Sequence, residues 1–134
     1  MSIQKSTDLR DAQNDQFETI LGTSPILEIR SGAQPANCAA ADSGTLLASI
    51  TCPSDFMGAS SGGVKSLLGT WQDLSADNAG TAGHFRFKTS GGTCKLQGSV
   101  TATGGGGDMT LDNTNIAAGQ KVSITSFSIT AGGA

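Results

Sequence analysis

The chain has no tyrosine, one tryptophan, one histidine and three prolines in 134 residues, and only 14% of it is charged. Each scarcity narrows the function. With His84 as the single histidine, a catalytic triad or a histidine-pair metal site could be built in only one place. With Trp71 the only tryptophan, a face that stacks sugar rings on exposed aromatics has little to work with. The eight basic residues (Lys5, Arg10, Arg30, Lys65, Arg86, Lys88, Lys95, Lys121) are scattered along the chain, so no nucleic-acid partner is expected. No apolar run approaches the roughly 18 residues of a membrane span, so no membrane partner is expected either. The stretch Met1 to Ser6 leads into charged residues where a secretory leader would have an apolar core, so the protein is expected to stay in the compartment that makes it. The three cysteines, Cys38, Cys52 and Cys94, contain no C-x-x-C pair. They read as buried small thiols. Pairing of two of them stays open, although it would be unusual in a reducing cytosol.

Small residues are abundant. Gly, Ser and Thr together supply 50 positions, against 30 from Val, Ile, Leu, Met, Phe and Trp. So few large apolar residues approach the composition of disordered chains, but those chains usually carry a high net charge, and here it is only −3. The length suits one folded domain whose thin core would gain from a partner surface.

Between Thr7 and Leu21 the apolar residues Leu9, Ala12, Phe17, Ile20 and Leu21 fall close to one helical stripe. Ser6 or Thr7 is placed to cap the helix, Asp8 and Asp11 suit its dipole, and Gly22 to end it. After residue 23 the pattern changes to short alternating runs between turn signals, as in antiparallel strands. Leu27 and Ile29 alternate with Glu28 and Arg30, predicting a strand with one wet face. An Ala-rich arm from Ser31 to Ser43, with Pro35 as a breaker, has too little apolar volume to enter a core and is expected to lie along a surface. Further strands are predicted at Thr45 to Thr51 and Val64 to Leu68. Residues 73 to 83 read as a polar turn region. Phe85 and Phe87 then face one way, with His84, Arg86 and Lys88 opposite. Ser90-Gly91-Gly92 predicts a hairpin into a strand where Cys94, Leu96, Gly98 and Val100 share a face. Met109 and Leu111 form a short strand. The last strand, Val122 to Ile129, changes phase near Thr125 and Ser126, which predicts a bulge or a crossing between sheets. The tally is an all-β fold, an antiparallel β-sandwich or jelly-roll-like domain over 24–134, preceded by one short N-terminal α-helix or arm over 1–23.

The search for chemistry turns up no catalytic set. His84 sits on the polar strand face and is expected to meet solvent. Ser60 and Ser61 lack the G-x-S-x-G elbow. Gly104 to Gly107 is followed by neither Gly-Lys-Ser nor a helix that would cradle phosphate, so a flexible loop is expected. The two groups Asp73, Asp77, Asn78 and Asp108, Asp112, Asn113 read as turn formers, since neither has EF-hand spacing. No enzyme activity, cofactor or metal is expected.

Several runs carry a resemblance: Pro25 to Ala36 (PILEIRSGAQPA), Ser43 to Ala48 (SGTLLA), Ala79 to Thr93 (AGTAGHFRFKTSGGT) and Leu111 to Thr130. Together they resemble a family of small virion structural proteins of tailed bacteriophages, over nearly the whole length. The resemblance implies a structural component, and the inferred role is a capsid cement or decoration protein on the capsid surface of the virion, made in the host bacterial cytoplasm. Its partners would be the major capsid protein and further copies of itself, as a dimer or trimer. The candidate contact residues are Leu9, Phe17, Ile20 and Leu21 on the helix and Pro35, Ala39 and Ala40 on the arm. The helix stripe packing on its own sheet stays open as the alternative reading. Removing residues 1–22 is expected to weaken assembly more than folding. The competing function is a tail- or fibre-associated β-sandwich that binds host-surface carbohydrate.

Overall fold

Helix α1 runs from Thr7 to Leu21, between the boundaries that its capping residues predict. The Ser6 side chain accepts from the Leu9 amide, and Gly22, at φ +75°, ends the helix by donating its N–H to the Glu18 carbonyl. The computed structural model describes residues 3–133. Ten strands follow the helix: β1 (Ile26–Ser31), β2 (Leu46–Thr51), β3 (Val64–Ser66), β4 (Trp71–Asp73), β5 (Gly80–Lys88), β6 (Cys94–Ala102), β7 (Met109–Leu111), β8 (Asn115–Ile116), β9 (Val122–Ile124) and β10 (Ser128–Thr130).

The chain is thus all-β with a single N-terminal helix. Its main sheet has six strands in the order β2-β1-β5-β6-β7, with β8 paired to the start of β5. Two further ladders, β10 with β3 and β4 with β9, have two strands each. The predicted last strand is split between those two ladders: Val122 to Ile124 pairs with β4, and Ser128 to Thr130 with β3. The phase change near Thr125 is therefore a crossing between ladders.

The β5–β6 hairpin forms as the Gly-Gly turn predicts, with one change of face. Phe87 pairs with Leu96 and Phe85 with Gly98, but a register shift past Phe87 places Lys88 opposite Cys94. The bulge inserts an extra residue on β6, so Cys94 leaves the face of Leu96 and Val100 and joins that of Lys88.

β7 runs parallel to β6, where only antiparallel strands were expected. Six residues, Thr103 to Asp108, make this connection, far fewer than the dozen or so a crossover normally takes. Glycines make it possible. Gly104 and Gly106 have φ +88° and +81°, and a Cβ on Gly105 or Gly107 would stand 2.8 Å from Thr101. The Gly107 amide donates to Thr101 Oγ1 (3.0 Å), so the predicted flexible loop is a bonded, tightly folded one.

The core gathers every aromatic ring of the chain. Phe87 packs against Phe17, Phe56, Trp71, Phe85 and Phe127 at ring separations of 5.3 to 6.3 Å, mostly edge-on or tilted. Trp71 is fully buried, and its indole N–H donates to the carbonyls of Phe56 (3.1 Å) and Leu68 (3.2 Å). Leu27, Ile29, Leu47 and Ile50 complete the layer. The scarce large residues are concentrated at one centre.

Candidate functional site

Two polar clamps hold the segments that the sequence offers as partner contacts. The first lies on the sheet face that was expected to be wet. His84, Arg86 and Lys88 do point away from Phe85 and Phe87, but they are 0%, 2% and 8% exposed. The arm between β1 and β2 folds back over them. At its return, Gly44 has φ +68°, and a Cβ there would stand 1.9 Å from the Ser31 carbonyl oxygen, so only glycine fits.

Asp42, near the end of the arm, is the clamp's anion. One of its oxygens takes a hydrogen bond from Arg86 Nη1; the other takes Lys88 Nζ at 2.7 Å and Arg30 Nη2 at 3.2 Å. Glu28 accepts from Lys88 Nζ and Arg30 Nε, both at 2.9 Å. Arg86 Nη2 reaches the arm backbone, donating to the carbonyls of Cys38 (2.8 Å), Ala40 (3.2 Å) and Asn37 (3.4 Å). Gln97 Nε2 donates to the Pro35 carbonyl at 2.7 Å. A planar guanidinium suits this fan of acceptors, where a lysine would be one point charge. The hydrogen bond from Lys88, followed by that from Arg86, holds the Asp42 carboxyl below its ordinary range against the opposing effect of burial. Burial disfavours the charge on Lys88, but hydrogen bonds to Asp42 and Glu28 outweigh it and keep its pKa raised.

The second clamp fastens α1. Its inward side carries Arg10, Asp11, Asn14, Asp15, Phe17, Glu18 and Leu21, largely polar residues at helical spacing. Asp11 Oδ1 accepts from the Gly63 amide and from Ser60 Oγ, both at 2.8 Å. Asn14, buried, donates from Nδ2 to the Gly63 carbonyl at 2.7 Å. At the centre of β3, Lys65 is 1% exposed, and its Nζ meets Asp15 Oδ1 (2.8 Å), Glu18 Oε1 (2.9 Å) and the Gly58 carbonyl (2.9 Å). All three ammonium protons are used. An open groove of about 640 Å³ runs beside this clamp, with Asp55, Met57 and Leu68 on its walls.

The candidate residues therefore separate. Phe17 packs on Phe56 and Phe87, and Leu21 is buried in the core. Leu9 and Ile20 are 48% and 56% exposed on the outward side of α1. Pro35 and Ala40 are half-buried with their carbonyls bound by the sheet, while Ala39 is exposed. His84 is a correction: its Nδ1–H donates to the Gly32 carbonyl (2.9 Å), and Nε2 is buried without a partner. Sequence reasoning missed the inward stripe of Asp11, Asn14, Asp15 and Glu18. The signal was present as polar residues spaced three and four apart, but it reads as a solvated face until Lys65 is brought beneath it.

Among the described residues, no three His, Cys, Asp or Glu side chains are grouped to hold a metal ion, and no helix is long and apolar enough to cross a membrane. Comparison with protein-family models, with curated proteins and with solved structures finds no match for this chain.

Proposed function

We propose that the chain is a capsid cement or decoration protein of a tailed bacteriophage. In this reading it binds the shell of major capsid protein as a small closed oligomer, a dimer or trimer, on the outside of the virion. The reading rests on the sequence resemblance, and one structural observation carries it further. The inward side of α1 is occupied by the second clamp, whereas the outward side keeps Leu9, Gln13, Gln16 and Ile20 exposed in one row. Leu9 and Ile20 are eleven residue steps apart along the helix, so the row is about 16 Å long. A short apolar-ended row on a rigidly mounted helix suits a flat, repeated partner surface. Of the contact candidates, Leu9, Ile20 and Ala39 remain available to a shell, while Phe17 and Leu21 serve the protein's own core.

The competing carbohydrate reading depends on aromatic faces open to sugar rings. Phe56, Phe85, Phe87, Phe127 and Trp71 are buried, and Phe17 is half-buried. That placement counts against it.

The deciding experiment is the protein composition of purified particles, with heads separated from tails. Cement protein is expected on heads at hundreds of copies; a few copies confined to tails would overturn the proposal. A double variant, Leu9→Asp with Ile20→Asp, is expected to stay folded, with stability changed by no more than about 0.5 kcal/mol per exposed site, and to lose binding to heads. Retained binding would remove the helix from the contact surface.

A further inference from the structure

The first clamp contains a pair of thiols beside its ion pairs. Cys38 lies in the middle of the arm and Cys94 at the start of β6, 56 residues later, and their sulfur atoms are 2.7 Å apart. Cys94 is on this face only because the register shift sets it opposite Lys88. Both are half-buried and line a depression of about 330 Å³ beside Asp42, Arg86 and Thr93. Cys52 is buried elsewhere in the hydrophobic core.

We propose that Cys38 and Cys94 are a disulfide site, and that oxidation staples the arm covalently to β6. Three observations support this. The sulfurs need to close by only about 0.7 Å to reach the usual bond length of about 2.05 Å. Arg86 already holds the carbonyls of Cys38 and Ala40, and Gln97 that of Pro35, so the arm is in place before the bond forms. The depression admits a small oxidant to both sulfurs, whereas Cys52 is enclosed.

The co-reactant is a low-molecular-weight disulfide. One protein thiol gives its proton to solvent, and the thiolate attacks a sulfur of the reagent. The reagent's S–S bond breaks, and one small thiolate leaves and is protonated. The second protein thiol, deprotonated in turn, attacks the mixed disulfide and expels the other small thiolate. Two protein thiols and one reagent disulfide thus become one protein disulfide and two small thiols. Burial, together with the neighbouring Cys38, pushes the Cys94 thiol up to about 11 despite Arg86. Exchange is therefore slow near neutrality and accelerates as pH rises. The inference is independent of the capsid proposal.

The test is to incubate the full chain with oxidised glutathione at mildly alkaline pH, then to measure intact mass and map peptides. The expected result is a mass loss of two hydrogen atoms, a cross-linked peptide pair containing Cys38 and Cys94, and Cys52 alkylated only after unfolding. The oxidised chain is expected to melt about 5–10 °C higher, as closing a long loop should produce, and to resist proteolysis within residues 33–43. Cys38→Ser and Cys94→Ser should each abolish the mass loss, while Cys52→Ser leaves it intact. A stable glutathione adduct with no internal bond, or a bond that includes Cys52, would overturn the proposal.

Discussion

Arg86 shows how much one buried charge organises here. Its guanidinium joins Asp42 to the backbone of the arm, and that backbone has no large side chain of its own with which to pack. Arg86→Ala would leave Asp42 short of a partner and free three carbonyls at once. The expected cost is about 3 kcal/mol, read from the denaturant midpoint. Arg86→Lys is expected to recover only part of it, because an ammonium cannot span the same acceptors. In the core, Phe87→Ala is expected to cost about 4 kcal/mol, since it opens a cavity among five other rings.

The charged residues also set a pH window. Asp42 and Asp15 are held below the ordinary value of 3.8, Asp42 chiefly by the hydrogen bond from Lys88 and Asp15 by that from Lys65. A depressed carboxylate stabilises the fold above 3.8, and that contribution is lost as pH falls from 3.8 through the folded value. Lys65 and Lys88 are raised above 10.5, because their carboxylate partners outweigh the cost of burial. Their contribution is present below 10.5 and lost as pH rises through the folded value. Cys52, pushed by burial from 9.0 to about 12, adds an earlier alkaline decline that begins near pH 9. Denaturation midpoints measured across pH should therefore be flat through neutrality and fall at both ends. A midpoint unchanged below pH 3 would exclude the carboxylate clamps as contributors.

At the scale of elements, α1 is part of the body. It supplies Leu21 and Phe17 to the core and both carboxylates that neutralise Lys65. Deleting residues 1–22 is accordingly expected to lower the stability of the sheet and not only to weaken assembly, which revises the expectation from sequence. Much of that loss should come from apolar packing, because removing the helix also opens Lys65 to water. Leu21→Ala in the full chain is accordingly expected to cost about 3 kcal/mol, read from the denaturant midpoint, and a cost below about 1 kcal/mol would mean that the polar clamp dominates. The helix boundaries, the β5–β6 hairpin and the ladder crossing near Thr125 were all legible beforehand, because caps, Gly-Gly turns and side-chain phase act over a few residues. Strand β8, two residues long, and the parallel pairing of β7 were not. A two-residue strand has no periodicity, and the direction of pairing depends on how Thr101 and the four glycines fold upon one another.

At the scale of the whole molecule, the low count of large apolar residues first suggests a thin core that leans on a neighbour. The structure places the aromatic rings in one cluster and uses buried cations paired with partly exposed carboxylates to fasten the helix and the arm around it. The proposed assembly role, which rests on the sequence resemblance, would use what remains outside, above all the row from Leu9 to Ile20, and the particle composition and the double variant test it there. Sequence alone determined the all-β class, the single helix and its ends, and the alternation that sets Phe85 and Phe87 against His84, Arg86 and Lys88. Tertiary structure decided which faces are covered. Asp42 meets Arg86 across 44 residues and Asp15 meets Lys65 across 50. Whether a charged face meets water or a partner carboxylate depends on those distant segments, and no local pattern of polar and apolar residues records it.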